Sequence, residues 1–161
     1  AINTIDEKLT RYLISLSSEA LSQKESEVLT NILDSSRDLE RIGDHAEALI
    51  NLNDYLQRKN VQFSNSALEE LEDIYRQTSE FVKDALESVE NNDLEMAESL
   101  IERHEAINKM ERVLRKTHIK RLNNGECSTQ AGVNFIDIIS HYTRVSDHAM
   151  NLAEKVLAEQ I

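Results

Sequence analysis

Proline is absent from all 161 residues, and glycine occurs only at positions 43, 125 and 132. Proline removes a backbone donor and clashes with the preceding turn, and glycine is the next most costly residue inside a helix. A chain that lacks the first and nearly lacks the second has almost nothing to interrupt helices. Apolar residues then recur at helical spacing along most of its length. One stripe runs through Ile2, Ile5, Leu9, Leu13, Leu16 and Ala20, another through Leu68, Leu71, Ile74, Thr78, Phe81, Ala85 and Val89. A third follows Leu94, Ala97, Ile101, Ile107, Met110 and Leu114, and a last one Phe135, Ile139, Tyr142, Ala149 and Val156. No strand-like alternation competes.

Start and stop signals divide these stripes into five helices. Ser22 and Glu25 have the capping-box spacing and predict a helix running to about Lys59. Ser66 with Glu69, and Asn92 with Glu95, predict two more starts. Asn123-Asn124-Gly125 predicts a stop, because Asn and Gly tolerate the left-handed conformation. Ser128 or Thr129 can cap the last helix. Short connections make consecutive helices antiparallel. The expected fold is all-α, an antiparallel helical bundle.

The chain also repeats itself. "LERIGDHAEAL" at 39–49 and "YTRVSDHAMNL" at 142–152 agree at Arg41/Arg144, Asp44/Asp147, His45/His148, Ala46/Ala149 and Leu49/Leu152. "AINTIDEKL" at 1–9 resembles "AINKMERVL" at 106–114. Residues 1–57 thus correspond to about 106–160, whereas 66–105 have no counterpart in the first half. The pattern predicts three helices per full unit and a first unit without its opening helix. We divide 1–161 into a partial first repeat, 1–60, and a second repeat, 64–161, and expect the chain to be a piece of a longer protein. Long helices at 25–57 and 128–160 should be related by a pseudo-twofold, and the small residues Gly43 and Ser146 suggest close helix approach.

Charge and chemistry bound the function. The formal net charge is −12, which excludes a general nucleic-acid binder, since that role needs a basic stripe. Cys127 is the only cysteine, so an intrachain disulfide is impossible. No apolar run approaches the roughly 18 residues of a spanning helix, and direct membrane insertion is not expected. Nucleotide-binding, hydrolase and paired-cysteine motifs are absent, and no Glu-x-x-His pair occurs. The chain is not expected to be an enzyme.

The repeated phrase places Glu40 and Asp44 on one helical stripe, four residues apart; the second copy reads Thr143, Asp147, Asn151 along the same stripe. Oxygen ligands at this spacing can hold a divalent metal. Arg41 with Asp44, and Arg144 with Asp147, are equally placed for i,i+3 ion pairs. His45 and His148 turn about 100° away from the carboxylates, and His104 falls on an apolar stripe.

"DLERIGDHAEAL", "YTRVSDHAMNLAE" and "NNDLEMAESLIERHEAINKMERVL" resemble the PhoU family over essentially the whole chain apart from the missing first helix. The resemblance implies two three-helix bundles and a regulator of phosphate uptake rather than an enzyme. Some members bind iron or other metals through Glu/Asp-x-x-x-Asp motifs. That motif maps onto Glu40 and Asp44, and in the second copy onto Asp147, with Thr143 in place of the acid and Asn151 four residues further on. Ala48 stands where copy two has Asn151, and a family acid on the middle helix is Asn3 and Asn108 here. The implied metal set is Glu40 and Asp44, then Asp147 and Asn151, with iron, zinc, manganese or nickel as the metal. PhoU-like domains also occur as tails of bacterial sodium/phosphate cotransporter-family proteins. The resemblance therefore implies a membrane-associated regulatory domain at the cytoplasmic side of the cell membrane. Its partner would be the transporter part of the same chain, or else a separate phosphate transporter, with a homodimer as a further assembly.

Overall fold

The computed structural model describes residues 2–17 and 21–158. Five helices fill them: α1 (Ile2–Ser17), α2 (Gln23–Arg58), α3 (Asn65–Asn91), α4 (Leu94–Asn123) and α5 (Thr129–Leu157). There is no strand among the described residues. The expected end of the last helix at 159–160 and the stripe residue Ala20 lie outside them.

The ends follow local chemistry. Ser22 accepts from the Glu25 amide, and the Glu25 carboxylate accepts from the Ser22 amide at 2.8 Å. The Ser22 hydroxyl, donating to the Glu25 carboxylate at 2.7 Å, and then the Ser22 amide hold the Glu25 carboxyl below its usual range. Ser64, two residues earlier than the sequence signal at Ser66, caps α3 by accepting from the Ala67 amide. The earlier cap sets Phe63 just outside the helix, where its ring packs edge-on against Phe135 at 6.2 Å. Burial of that ring outweighs the choice between two equivalent hydroxyls. Asn92 does not open α4 but ends α3, with φ +49°, and Asp93 caps α4 by accepting from the Met96 amide. Gly125, at φ +71°, follows α4 as expected. Asn60, Asn92 and Gly125 each close a helix with the paired bonds of a left-handed stop, for example Asn60 N–H to Gln57 O and Val61 N–H to Leu56 O.

Helix α5 is the axis of the molecule, packing against α2, α3 and α4, whereas α1 touches α2 alone. The core lies almost wholly in α3–α5. Phe81, Leu100, Phe135, Ile139, Leu152 and Val156 are fully enclosed there, and such side chains stabilise by about 1.5–3 kcal/mol each. Of the buried apolar residues, only Leu13 and Leu56 come from α1 and α2. The stripe along α1 is helical but half-covered, with Ile2 45% and Ile5 65% exposed.

Gly43 faces α1: a Cβ there would lie 2.9 Å from Ile2 Cδ1. Its counterpart Ser146 is fully buried on α5, with its hydroxyl donating to Thr143 O.

Candidate functional site

Contacts between α2 and α5 run antiparallel. From one end to the other, Lys155 Nζ donates to Asn31 O at 3.2 Å, Asn151 Nδ2 to Asp38 Oδ1 at 2.9 Å, and Gln130 Nε2 to the Tyr55 hydroxyl at 2.6 Å. The histidines of the repeated phrase meet in the middle. His148 Nδ1 donates to Asp38 Oδ1 at 2.9 Å, and His45 Nδ1 lies 3.0 Å from His141 Nδ1. These are one contact made twice. His148 stands 103 residues beyond His45, and His141 stands 103 beyond Asp38, the offset of the repeated phrase. Each histidine therefore pairs with the same position of the other repeat, which is what a pseudo-twofold between α2 and α5 requires. The rings of His45 and His148 stack across the axis at 5.8 Å.

Electrostatics differ between the two pairs. His148 faces a carboxylate. His45 faces another imidazole, so one Nδ1 must donate and the other accept. Desolvation, then His141, His148 and Arg144, lower the His45 pKa, and Asp44 opposes them. The lowering favours the neutral form of His45, and the ring that accepts in this bond must be neutral at Nδ1.

The carboxylates of the phrase are engaged with cations. Arg41 reaches Asp44 at 3.3 Å and Glu40 at 3.7 Å. Arg144 reaches Asp147 at 3.4 Å, and His104 Nε2 bonds the other Asp147 oxygen at 2.9 Å. His104, read from its stripe as packed, does lie 5.9 Å from the Phe81 ring, but its nitrogen turns to Asp147, and the Asn108 amide is 3.2 Å away. Asn151 does not join Asp147; its amide reaches across to Asp38. Thr143 donates to Ile139 O within its own helix.

The metal expectation is accordingly corrected. Among the described residues, no group of three or more His, Cys, Asp or Glu side chains is arranged to hold a metal ion. Glu40 and Asp44 converge on Arg41, while Asp147 and Asn151 turn to different helices. The expectation of a membrane-associated chain is corrected as well: among the described residues, no helix is long and apolar enough to cross a membrane.

A sequence alone could not pair His45 with His141, which are 96 residues apart on different helices. The signal was present in the offset of 103 that relates His148 to His45 and His141 to Asp38, once α2 and α5 are taken as antiparallel partners.

The fifth histidine stands apart. His118 is 2% exposed and stacked on Phe135 with ring centroids 4.1 Å apart. Its Nδ1 has no partner, and Nε2 is 3.8 Å from Cys127 Sγ. Burial and Arg121 lower its pKa, against Glu70. The lowered pKa makes this buried imidazole a weaker proton acceptor toward the thiol than a free one.

Comparison with known proteins followed the same two segments. A family model described as the PhoU domain matches residues 1–52 and 71–156, which include both copies of the phrase. The phosphate-specific transport system accessory protein PhoU homolog 1 of Thermotoga maritima is 31% identical over 134 residues, covering 83% of this chain and 57% of the relative. The chain therefore spans little more than half the length of that relative. Two crystal structures share the fold. The phosphate transport system regulatory protein PhoU from Streptococcus pneumoniae superposes with a TM-score of 0.76 at 22% identity, covering 97% of this chain and 70% of that one. PhoU from Pseudomonas aeruginosa gives 0.79 at 20% identity, covering 99% and 80%.

Proposed function

Because this chain belongs to the PhoU family, we propose that it regulates a phosphate transport system by protein contact, as an accessory protein rather than as an enzyme. The observation that supports this most is the family match across both halves, with the doubled phrase meeting itself at the α2–α5 seam. The Thermotoga maritima relative, named for phosphate-specific transport, points the same way. The seam contains no activated nucleophile, and membership in a family of regulators makes this chain a non-enzyme. What it offers is a long helical surface with an excess of acid, net charge −12, suited to basic segments of a partner. The partner in this proposal is a separate phosphate transporter, met from the cytoplasm. Division into a partial repeat, 1–60, and a full one, 64–161, accords with α1–α2 and α3–α5 as its two parts. The narrower idea of a tail fused to a sodium/phosphate cotransporter draws no support from the relatives, and self-association into a homodimer draws none either.

The test is deletion of the encoding segment in its host, followed by radiolabelled phosphate uptake at low and high external phosphate, with transporter abundance matched. Altered uptake, or an altered response to phosphate, restored by the wild-type chain, is the expected result. Unchanged uptake at both concentrations would refute the proposal. A salt-sensitive complex with the transporter, weakening over the range where the Debye length shrinks from about 10 Å to 3 Å, would locate the contact on charge.

A further inference from the structure

A cleft of about 530 Å³ opens where the two parts of the chain join. Its floor is apolar, made by Leu49 and Leu56 of α2, Phe63 of the connector, Leu71 of α3 and Ile138 of α5. Its rim carries four carboxamides, Asn53, Gln57, Asn60 and Gln62, and the hydroxyl-bearing ring of Tyr142. All twelve lining residues are uncharged, in a chain of which 30% of residues are charged. The polar side chains of this cleft are amides and one phenol, with no carboxylate among them.

The walls are fixed before any ligand arrives. Asn60 N–H donates to Gln57 O at 3.1 Å and Val61 N–H to Leu56 O at 3.0 Å, so the connector leaves α2 by one route. Gln62 Nε2 donates to Asn60 Oδ1 at 3.0 Å, tying two rim amides together. Phe63 is anchored edge-on to Phe135. The Tyr142 pKa is raised, first by burial and then by Tyr75, which keeps its hydroxyl neutral.

The volume lies within the range of small-molecule sites, which join an apolar body to a few placed polar groups. A charged ligand would leave water without a counter-charge to meet it. A neutral one meets apolar floor and amide rim, and carboxamides both donate and accept.

We propose that this cleft binds an uncharged small molecule with an apolar body and an amide-like hydrogen-bonding edge. The cleft is built from α2 on one side and α3 and α5 on the other, so its ligand would tie the first part of the chain to the second.

The experiment uses the whole chain and the neutral fluorescent probe N-phenyl-1-naphthylamine, with methyl-resolved NMR to place it. The expected result is saturable binding with shifts at Leu49, Leu71 and Ile138. The double variant Asn53→Asp, Gln57→Glu puts two charges on exposed rim positions and should weaken binding by roughly tenfold or more, with its unfolding midpoint unchanged. Gln23→Glu, at the far end of α2, should bind as wild type does. The anionic analogue 1-anilinonaphthalene-8-sulfonate should bind the wild type at least about tenfold more weakly than the neutral probe, an arm that requires no variant. No saturable binding, shifts confined to Val28 and Ile32 on the exposed face of α2, or equal affinities for the neutral and anionic probes would each overturn the proposal.

Discussion

Replacing Gly43 tests the α1–α2 contact with two opposed effects of known size. Gly43 lies in mid-helix, where alanine is favoured by about 1 kcal/mol. Against that, the new Cβ would sit 2.9 Å from Ile2 Cδ1 but 3.7 Å from the Ile2 Cβ and Cγ2. Only the tip of the Ile2 side chain has to move. Ile2 is 45% exposed, so it has room, at a rotamer cost of about 0.5–1.5 kcal/mol. Gly43→Ala should therefore be close to neutral. In an Ile2→Ala background the clashing atom is gone, and the same substitution should yield the full ~1 kcal/mol. Gly43→Leu cannot be absorbed by a rotation and should cost about 1–3 kcal/mol. Urea denaturation reads all three. With a slope of about 2 kcal/mol/M, 1 kcal/mol moves the midpoint by roughly 0.5 M. An equal effect of Gly43→Ala in both backgrounds, or an unmoved midpoint for Gly43→Leu, would show that α1 does not press on α2 at this residue.

Stability should fall as pH drops. His45 and His118 both have lowered pKa values in the folded state, so the unfolded chain binds their protons first. Their contribution is complete above the unfolded value of about 6.5 and is lost as pH falls through it towards the lower folded values; a urea midpoint flat between pH 7.5 and 5 would contradict this. His45→Gln should reduce that slope without abolishing it, because His118 still titrates. Asp38→Ala deprives His148 and Asn151 of their shared acceptor and should cost about 1–3 kcal/mol, whereas Arg37→Ala, which breaks an exposed pair with Asp34, should stay within about 0.5 kcal/mol; comparing their midpoints ranks the seam against the surface. Phe135→Ala removes the ring on which His118 and Phe63 pack and should cost about 3–5 kcal/mol, measurable as a fall in thermal midpoint.

Helix content was readable because four of the five helices carry a clear apolar stripe, and two of the boundary signals were chemically unambiguous: Ser22 with Glu25, and the Asn-Gly stop. The boundaries that moved did so where two equivalent residues competed. Ser64 and Ser66 are equally good hydroxyl caps, and the burial of Phe63, a long-range effect, chooses between them. Asn92 is as fit to end a helix as to begin one, and Asp93 leaves it free to end α3. The candidate site was less readable for the same reason. Periodicity reports which residues share a face of one helix. It placed Glu40 beside Asp44 and left His45 facing elsewhere, both correct locally. Which helix lies opposite decides the chemistry, and that helix brings His141, not further carboxylates. Arg41 was the residue that weighed most against metal: one guanidinium within reach of two acids leaves them little need of another cation.

The helix on which the others rest is the last of the five to be synthesised. The α1–α2 hairpin touches the rest of the protein only through α5, and α5 ends at Leu157 while α2 ends at Arg58. At about 5–20 residues per second, a ribosome needs on the order of 5–20 s to supply the missing partner. During that interval the hairpin has its seam polar groups hydrated and a half-covered row of isoleucines and leucines in the open. The α3–α4 hairpin waits for a shorter time, and its largely apolar inner face is the one most in need of cover. Chains stalled after Asn123 should accordingly be cleaved by protease within α1 and α2 as readily as within α3 and α4, and chains long enough to free α5 from the ribosome should become resistant within all four. Birth order thus makes docking of α5 a single closing event for both halves, and any helper that shields nascent apolar surface has its greatest effect before that event.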